Sequence, residues 1–500
     1  MASRTVLGAC FLVFVWLCYY LLRPTPLDQA PCIHWSAKYS SLWIRWKRYQ
    51  DQDTLAVHEA HLRHGPVVRL GPKEMSIVDA ATGIKPIYEG RLPKTDWFQI
   101  IVSYGSEPMF AMKDNESHRR RRKMVTKPYQ NSYIKANRDW QEQQAVLARD
   151  FHSSLEKLSG NTGEVAICDM FFAWALATVS TYIFGHAAGV NVLDDLPKAR
   201  QKRQDYYKER NLAFWVASVP YPINKLLLNL RYSTEISFIE ELRIQADRHA
   251  AEPQEKSKGT NSTPYDYMKN EFSSPTGPDS KVEQPSPKAQ AALSSEMQDH
   301  VIAGLDTSVI VLTICAWLLS LDSNRTWQDK CRAEARGCRE SDGTLNTDET
   351  PIIDAVIKET LRVYPPVSGM QPRITDKPTA VGPGAHQIVL PPGITVHAQT
   401  WTLHRNNEVF PKPEEWRPER WIECSPEKRK EMDAWSWAFG SGPRRCLGEQ
   451  LALNSLKTAL VVLYGGFETR LTENTEFSIE VGNMLIPSTL QLRVDKAEAQ

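Results

Sequence analysis

The ten residues from Phe439 to Gly448, FGSGPRRCLG, constrain the chain more than any other stretch. Gly442 permits a tight turn and the close approach of a flat ligand. Cys446 stands just before a predicted helix, where unpaired N–H groups and the positive end of the helix dipole favour a thiolate. Gly448 leaves room beside the sulfur. The stretch therefore predicts a pocket in which one thiolate faces a flat ligand.

Two further side chains of this stretch describe the ligand. Arg444 can offer a cation to a ligand carboxylate, and Phe439 can shield the sulfur from water. The plainer alternative, for any single cysteine, is a buried thiol in a glycine-rich loop. The nine cysteines have irregular spacings and no C-x-x-C pair occurs, so neither a disulfide framework nor a structural zinc site is expected.

Helical periodicity dominates the remaining sequence, and we predict a mainly α fold with a small β portion. A capping box at 295–298 predicts the start of a long helix that ends near Leu321. Further helices are predicted at 350–363 and from just after Cys446 to 465–466. Two short apolar runs around Pro391-Pro392-Gly393 predict a strand, a turn and a second strand.

Within the long predicted helix, Gly304 and Asp306 need an explanation. A glycine inside a helix costs roughly 1 kcal/mol relative to alanine. A carboxylate among apolar neighbours is costly if it is buried without a partner. The alternative is an aspartate that points to solvent from an amphipathic helix.

The strongest local charge cluster is the basic run from His118 to Lys123. Such a run occurs in nucleic-acid-binding patches, and also as an ordinary solvated helix face. The formal net charge of the whole chain is +1. Because this balance gives no general attraction to nucleic acid, we expect no nucleic-acid partner.

The amino terminus contains an uncharged run from Val6 to Leu22, long enough for a short membrane-spanning helix. A cleaved signal peptide is the alternative. Basic residues follow the run, which favours a cytoplasmic location for the main body. We therefore predict an anchor at 1–22, a Pro-containing linker at 23–35 and one domain at 36–500. The Ser- and Pro-rich stretch at 252–288 is predicted to be a flexible insertion in that domain.

The stretch ending at Gly448 resembles, position for position, the F-x-x-G-x-R-x-C-x-G loop of the cytochrome P-450 family. This resemblance implies the cytochrome P-450 fold and a haem b cofactor whose iron takes the Cys446 thiolate as axial ligand. It also implies cofactor contacts along the loop and propionate contacts from more distant positions. These cofactor-binding residues are Phe439, Gly442, Arg444 and Gly448 in the loop, and His118, Arg122 and Arg373 outside it.

Two further motifs carry the resemblance. Glu359 and Arg362 share a helix face and match the E-x-x-R pattern, although alone they could be a surface salt bridge. Arg420, in the segment PERW, is implied as the third member of a structural triad. The AGLDTS segment resembles the family's oxygen-site motif, in which the glycine opens a local widening of the helix. The resemblance implies that Asp306 and Thr307 relay protons during oxygen activation.

The resemblance implies a haem-thiolate monooxygenase that inserts one atom of O2 into a mainly apolar small molecule. Because no flavin or dinucleotide fingerprint occurs in the sequence, electrons are expected from a separate NADPH-dependent flavoprotein reductase. The likeness to fungal microsomal members implies a single-pass protein of the endoplasmic reticulum membrane, with its catalytic domain in the cytosol, that serves secondary metabolism. Two alternatives stay open: a haem-thiolate isomerase or dehydratase that needs no reductase, and a non-catalytic haem sensor. The sequence identifies neither the substrate nor the position of attack.

Overall fold

The computed structural model describes residues 23–161, 164–209, 216–219, 237–251, 263–273, 286–338, 345–473 and 475–497, together with positions 6, 8, 11, 12, 15, 223 and 226. Most of the predicted anchor at 6–22 lies outside the described residues. The same is true of 252–262 and 274–285 in the predicted insertion.

The described residues are mainly α-helical, as the periodicity predicted. The helices are α1 (Leu42–Tyr49), α2 (Asp53–His64), α3 (Asn115–Val125), α4 (Asn131–Ala136), α5 (Arg138–Asn161), α6 (Ile167–Phe184), α7 (Leu196–Glu209), α8 (Ser237–Ala251), α9 (Pro264–Ser273), α10 (Pro287–Leu319), α11 (Arg325–Gly337), α12 (Pro351–Val363), α13 (Thr400–Leu403), α14 (Pro426–Trp435) and α15 (Glu449–Gly466). A π-helical segment spans Ala80–Glu89.

The β portion is small and divided among short sheets. The strands are β1 (Val67–Gly71), β2 (Glu74–Ile77), β3 (Glu164–Ala166), β4 (Arg373–Ile374), β5 (Thr379–Val381), β6 (Ile388–Leu390), β7 (Thr395–His397), β8 (Phe467–Leu471), β9 (Ile479–Val481), β10 (Leu485–Pro487) and β11 (Gln491–Lys496). Their orders are β1-β2-β7-β4, β3-β11-β8, β5-β6 and β9-β10. The two predicted strands around Pro391–Gly393 form, but they join different sheets instead of pairing with each other, since β6 pairs with β5 and β7 with β2 and β4.

The core is built around α10, a helix of 33 residues, which packs along α6. All 18 residues of α6 are buried. Because protein surrounds the helix, its residues are mostly apolar on every side. By length and composition both helices could cross a membrane, but the apolar windows of α6 and α10 are 100% and 72% buried in the protein. Helices α12 and α15 pack against α10 and against each other, with the bounds that the sequence predicted to within a few residues.

The start of α10 differs from our expectation. The helix begins at Pro287, where the Ser286 side chain accepts a hydrogen bond from the backbone N–H of Ala289. The predicted start at Ser295 is therefore wrong. Ser295 and Glu296 are buried inside the helix, where the Ser295 hydroxyl donates to the backbone oxygen of Ser106. The polar residues at 295–298 therefore serve tertiary contacts and do not cap the helix.

Part of the 252–288 segment is also more ordered than expected. Helix α9 lies within it and packs against α6 and α10. Tyr265 and Met268 are fully buried, and Phe272 packs against the same core cluster. These three apolar residues have helical spacing, which the surrounding Ser- and Pro-rich composition conceals.

Candidate functional site

The loop before α15 has the tight geometry that its glycines predicted. The backbone N–H of Cys446 donates to the oxygen of Phe439 at 2.8 Å, which closes the loop on itself. Gly442 has φ of +65°, and a Cβ there would lie 2.9 Å from the backbone oxygen of Tyr88. Only glycine satisfies both the left-handed backbone and this contact with the π-helical segment. By contrast, a Cβ on Gly448 would meet nothing within 4 Å, so open space lies beside the loop.

Cys446 is the exposed cysteine among the seven in the described part of the chain. Its protein surroundings nevertheless raise the pKa of its thiol to about 11, because burial outweighs the hydrogen bond from Gly448 and the charges of Arg122 and Arg445. The helix terminus acts in the predicted direction, because the hydrogen bond from Gly448 lowers this pKa, but in the chain alone it does not offset burial. A thiol in this position becomes a thiolate when a metal ion binds it, since coordination displaces the proton.

Next to this loop lies a cluster of five basic side chains, which we call the cationic cluster. Its members are Lys94, His118, Arg122, Arg373 and Arg444. Burial is the main cause that lowers the pKa of each. For three of the five, Lys94, His118 and Arg444, charges of other basic residues of the cluster lower it further. The pKa of His118 falls to about 3. Those of Arg373 and Arg444 fall to about 10.

Within the described residues, no carboxylate forms an ion pair with any member of the cationic cluster. Arg444 donates instead to the backbone oxygen of Met112 at 2.7 Å, and Arg122 to that of Arg445 at 2.9 Å. Arg373 lies 4.8 Å from the ring of Tyr88. Buried cations that repel one another need an anionic partner. The cluster and the adjacent thiol together fit a flat cofactor that carries carboxylates and a metal ion.

Sequence reasoning missed Lys94. Its ammonium donates to the backbone oxygen of Phe110 at 2.5 Å and lies 3.9 Å from the ring centre of Phe98. Its backbone forms an isolated β-bridge with Arg373. A single lysine in the stretch RLPKTD carries no local signal of burial, because only this long-range pairing brings it inside.

The basic side chains of α3 make different contacts. His118 is buried in the cationic cluster, whereas Arg119 and Arg120 are exposed and pair with Glu116. Arg121 instead forms an ion pair with the fully buried Glu296 of α10, at 2.8 Å. The run is therefore neither a uniform solvated face nor a continuous basic patch.

Helix α10 supplies the residues expected at the oxygen site. Asp306 is buried, and the Thr307 hydroxyl donates to the backbone oxygen of Ala303 at 2.8 Å. Ala303 is exposed although it lies in the middle of the helix, so this face borders open space. Gly304 has a different role from the expected widening: a Cβ there would lie 2.9 Å from Val179 of α6. The glycine permits close packing of the two helices.

Glu359, Arg362 and Arg420 form a compact buried network. The Glu359 carboxylate accepts from Arg362 at 2.8 and 2.9 Å and from Nε of Arg420 at 2.9 Å. Trp421 Nε1 also donates to Glu359 at 2.8 Å, which the sequence did not indicate. The remaining Arg362 donors bind backbone oxygens of His404, Pro413 and Glu415. This network joins α12 to the PERW segment.

Comparison with known protein families matches residues 38–494 to the family described as Cytochrome P450. Among curated proteins, the chain is 27% identical to the cytochrome P450 monooxygenase stcF of Emericella nidulans over 90% of this chain and 89% of that protein. It is 25% identical to averantin hydroxylase of Aspergillus parasiticus, over 91% of this chain and 88% of that protein. Its identity to tryprostatin B 6-hydroxylase of Aspergillus fumigatus is 24%, over 88% and 75% of the two chains. The chain is thus a member of the cytochrome P450 family and a monooxygenase.

Proposed function

We propose that this chain binds haem b through the Cys446 thiolate and hydroxylates a small, mainly apolar molecule. The observation that carries the proposal is the cationic cluster beside Cys446, whose charges have no carboxylate partner among the described residues. The two haem propionates would offset part of this positive charge, and the iron would displace the thiol proton.

The chain's own residues hold and position the cofactor. Arg373, Arg444, Arg122 and His118, together with Lys94, would bind the propionates. Phe439 packs against the core at the edge of the Cys446 loop, and with the cofactor bound it would shield the sulfur from water. When bound, a thiolate-ligated haem supplies the activation of O2, with one oxygen atom going to substrate and the other to water.

The proton supply falls to α10. Asp306 is the buried acid one residue before Thr307, whose hydroxyl is held against the helix by its bond to Ala303. We assign both residues to proton delivery, with Thr307 on the open face of the helix and Asp306 buried next to it. This assignment favours monooxygenation over isomerisation or dehydration, which consume no protons from the protein in this way.

Electrons would come from a separate NADPH-dependent flavoprotein reductase. The exposed arginines Arg119 and Arg120 on α3, one turn from Arg122, supply positive charge for an acidic partner, although Glu116 neutralises part of it. Electrostatic complementarity of this kind chiefly accelerates association.

Attachment to the endoplasmic reticulum membrane, by one helix and with the catalytic domain in the cytosol, is part of the proposal. An exposed apolar surface near the start of the described chain supports it. Trp35, Leu42, Trp46 and Tyr49 are exposed there, beside Lys47. Aromatic and basic side chains in this combination suit a lipid–water interface.

The substrate class follows from the relatives. Two of the three relatives described above are named as hydroxylases, and all three are fungal proteins. We propose that this chain acts likewise in fungal secondary metabolism, on a small molecule that fits a mainly apolar pocket.

The decisive experiment is the absorbance spectrum of the reduced, carbon monoxide-bound full chain. We expect the red-shifted band of thiolate ligation, and its loss in Cys446→Ala. The matched control, Cys424→Ala, changes another partly exposed cysteine and should keep the band. A spectrum unchanged in Cys446→Ala would contradict the proposal, and product formation without NADPH would favour the isomerase or dehydratase alternative.

A further inference from the structure

One carboxyl group on the open face of α10 has no role in the chemistry described above. Asp299 precedes Ala303 by four residues and Thr307 by eight, so all three lie on one face of the helix. The residues from 292 to 298 are buried, but Asp299 is partly exposed and Ala303 is exposed. The face that borders open space therefore extends from Thr307 to Asp299.

Asp299 forms no hydrogen bond or ion pair with any described residue. Its acidic neighbour Glu296 differs completely: it is fully buried, pairs with Arg121 at 2.8 Å and accepts from the backbone N–H of Met109 at 3.0 Å. His300 is also occupied, since its Nδ1 lies 2.9 Å from the hydroxyl of Tyr129. Glu296 and His300 thus bind other partners, and neither forms a hydrogen bond with the carboxyl group of Asp299.

The surroundings place Asp299 near the Cys446 loop and inside the protein. The charges of Asp299 and Cys446 both raise the pKa of Tyr129, whose hydroxyl lies 2.9 Å from Nδ1 of His300, the residue after Asp299. Burial, followed by repulsion from Glu296, raises the pKa of Asp299 itself to about 7. A partly exposed carboxyl in such surroundings faces an internal space, not bulk water.

The charge balance around this space selects the type of group that Asp299 can bind. Lys94 is close enough to influence the pKa of Asp299, and its ammonium is already bound to the backbone oxygen of Phe110. Arg373 and Arg444 also act on Lys94 and raise the positive potential. A further cation is disfavoured there, whereas a neutral donor can still bond to the carboxyl. The ring centre of the exposed Phe110 lies 3.8 Å from the Lys94 ammonium, so this ring offers an apolar surface.

We propose that Asp299 is a specificity-determining residue, which accepts a hydrogen bond from a hydroxyl group on an otherwise apolar ring substrate. The inference rests on the proposed haem-dependent function, because it takes the open face of α10 as the substrate side of the site. A bond to this carboxyl fixes the orientation of the substrate and hence which of its carbons faces the cofactor.

The test uses the haem-loaded full chain and three probes with one naphthalene skeleton: naphthol, methoxynaphthalene and a naphthylmethyl trimethylammonium salt. Dissociation constants are measured by equilibrium dialysis. Naphthol should bind about tenfold to hundredfold more tightly than its methyl ether, the difference expected for a hydrogen bond to a charged group. The cation should bind more weakly than naphthol.

Asp299→Leu should abolish the preference by weakening naphthol binding while leaving or improving binding of the ether. Asp299→Asn retains one acceptor oxygen and should give an intermediate ratio. The control Asp329→Leu changes an exposed acid on α11 and should keep the wild-type ratio. These opposite directions for two probes cannot arise from general loss of structure.

Equal binding of naphthol and ether by the wild type, or an unchanged ratio in Asp299→Leu, would overturn the inference. Tighter binding of the cation would overturn the choice of a hydroxyl. The reduced carbon monoxide spectrum is recorded for each variant. If the thiolate band is absent from the wild type, the proposed function itself fails; if the band is present and the ratio does not change, only the role of Asp299 fails.

Discussion

Two groups of buried charges lie within this protein, and they differ in whether their charges are balanced. In the network around Glu359, one carboxylate meets two arginines and a tryptophan, and the spare donors of Arg362 bind backbone oxygens. In the cationic cluster, by contrast, none of the five basic groups forms an ion pair with a carboxylate among the described residues. A network satisfied by the chain alone holds the fold together. A network with surplus charge of one sign is prepared for a ligand of the other sign.

The largest expected effect comes from breaking the balanced network. Glu359→Ala would leave Arg362 and Arg420 buried without their anion, at a cost of about 3–5 kcal/mol in the free energy of unfolding. The loss should be seen in urea denaturation with and without haem. The control Glu116→Ala removes an exposed pair with Arg119 and should stay close to wild type. A Glu359→Ala protein as stable as wild type would contradict the structural role.

Removing a charge from the cationic cluster should have the opposite effect on the stability of the haem-free chain. Arg373→Met removes one of several mutually repelling cations, so the haem-free chain should lose no stability in urea denaturation, or gain some. Haem affinity, measured by transfer of haem to a scavenger protein, should fall about tenfold or more, because a charged hydrogen bond is lost. Equal haem affinity in variant and wild type would show that this cluster does not bind the cofactor.

A third effect depends on pH. The pKa of His118 is lowered from 6.5 to about 3 in the folded chain. Below pH 6.5 the unfolded chain therefore binds a proton that the folded chain does not yet bind. The free energy of unfolding should fall on acidification, by about 1.4 kcal/mol per pH unit for this group.

His118→Gln should remove this contribution, so its stability relative to wild type should rise between pH 7 and pH 5. The comparison is made by urea denaturation of the haem-free chain. With haem bound, propionates would favour the protonated ring and the contribution should be smaller. Identical pH profiles for variant and wild type would mean that His118 is not held neutral.

The smallest expected effect tests whether Trp421 belongs to the network around Glu359. Trp421→Phe removes the Nε1 donor to Glu359 but keeps an aromatic ring, and should cost about 1 kcal/mol of unfolding free energy. Trp416→Phe is the matched control, since Nε1 of Trp416 donates at 3.1 Å to the neutral hydroxyl of Thr360. A larger loss in the control would show that the charge of Glu359 adds nothing to its bond with Trp421.

The parts of the fold that the sequence predicted are those with strong local signals. Helices α12 and α15 are bounded by prolines or glycines, and the Cys446 loop requires its glycines for local reasons. The start of α10 was mispredicted because Ser295 and Gln298 have the spacing of a capping box but are buried inside the helix, where the Ser295 hydroxyl makes a tertiary contact. Local rules cannot distinguish these two uses of the same residues.

The candidate site shows the same limit. Cys446 and the arginines were predictable because the motif places them, whereas Lys94 enters the site only through its pairing with Arg373. The desolvation of the Cys446 thiol was not predicted, since the protein atoms packed around a loop are not a property of its own residues. Long-range packing therefore decided what the sequence left open.

Helix α3 touches both sides of the site. His118 and Arg122, four residues apart, belong to the cationic cluster, while Arg121 between them holds Glu296 of α10 and lies 4.5 Å from the ring of Phe272 in α9. A shift of this helix would therefore act both on the proposed propionate contacts and on the helix face proposed to receive substrate. Linkage then requires that the change in cofactor affinity caused by bound substrate equal the change in substrate affinity caused by bound cofactor. One turn of helix would thereby couple the two proposed binding equilibria.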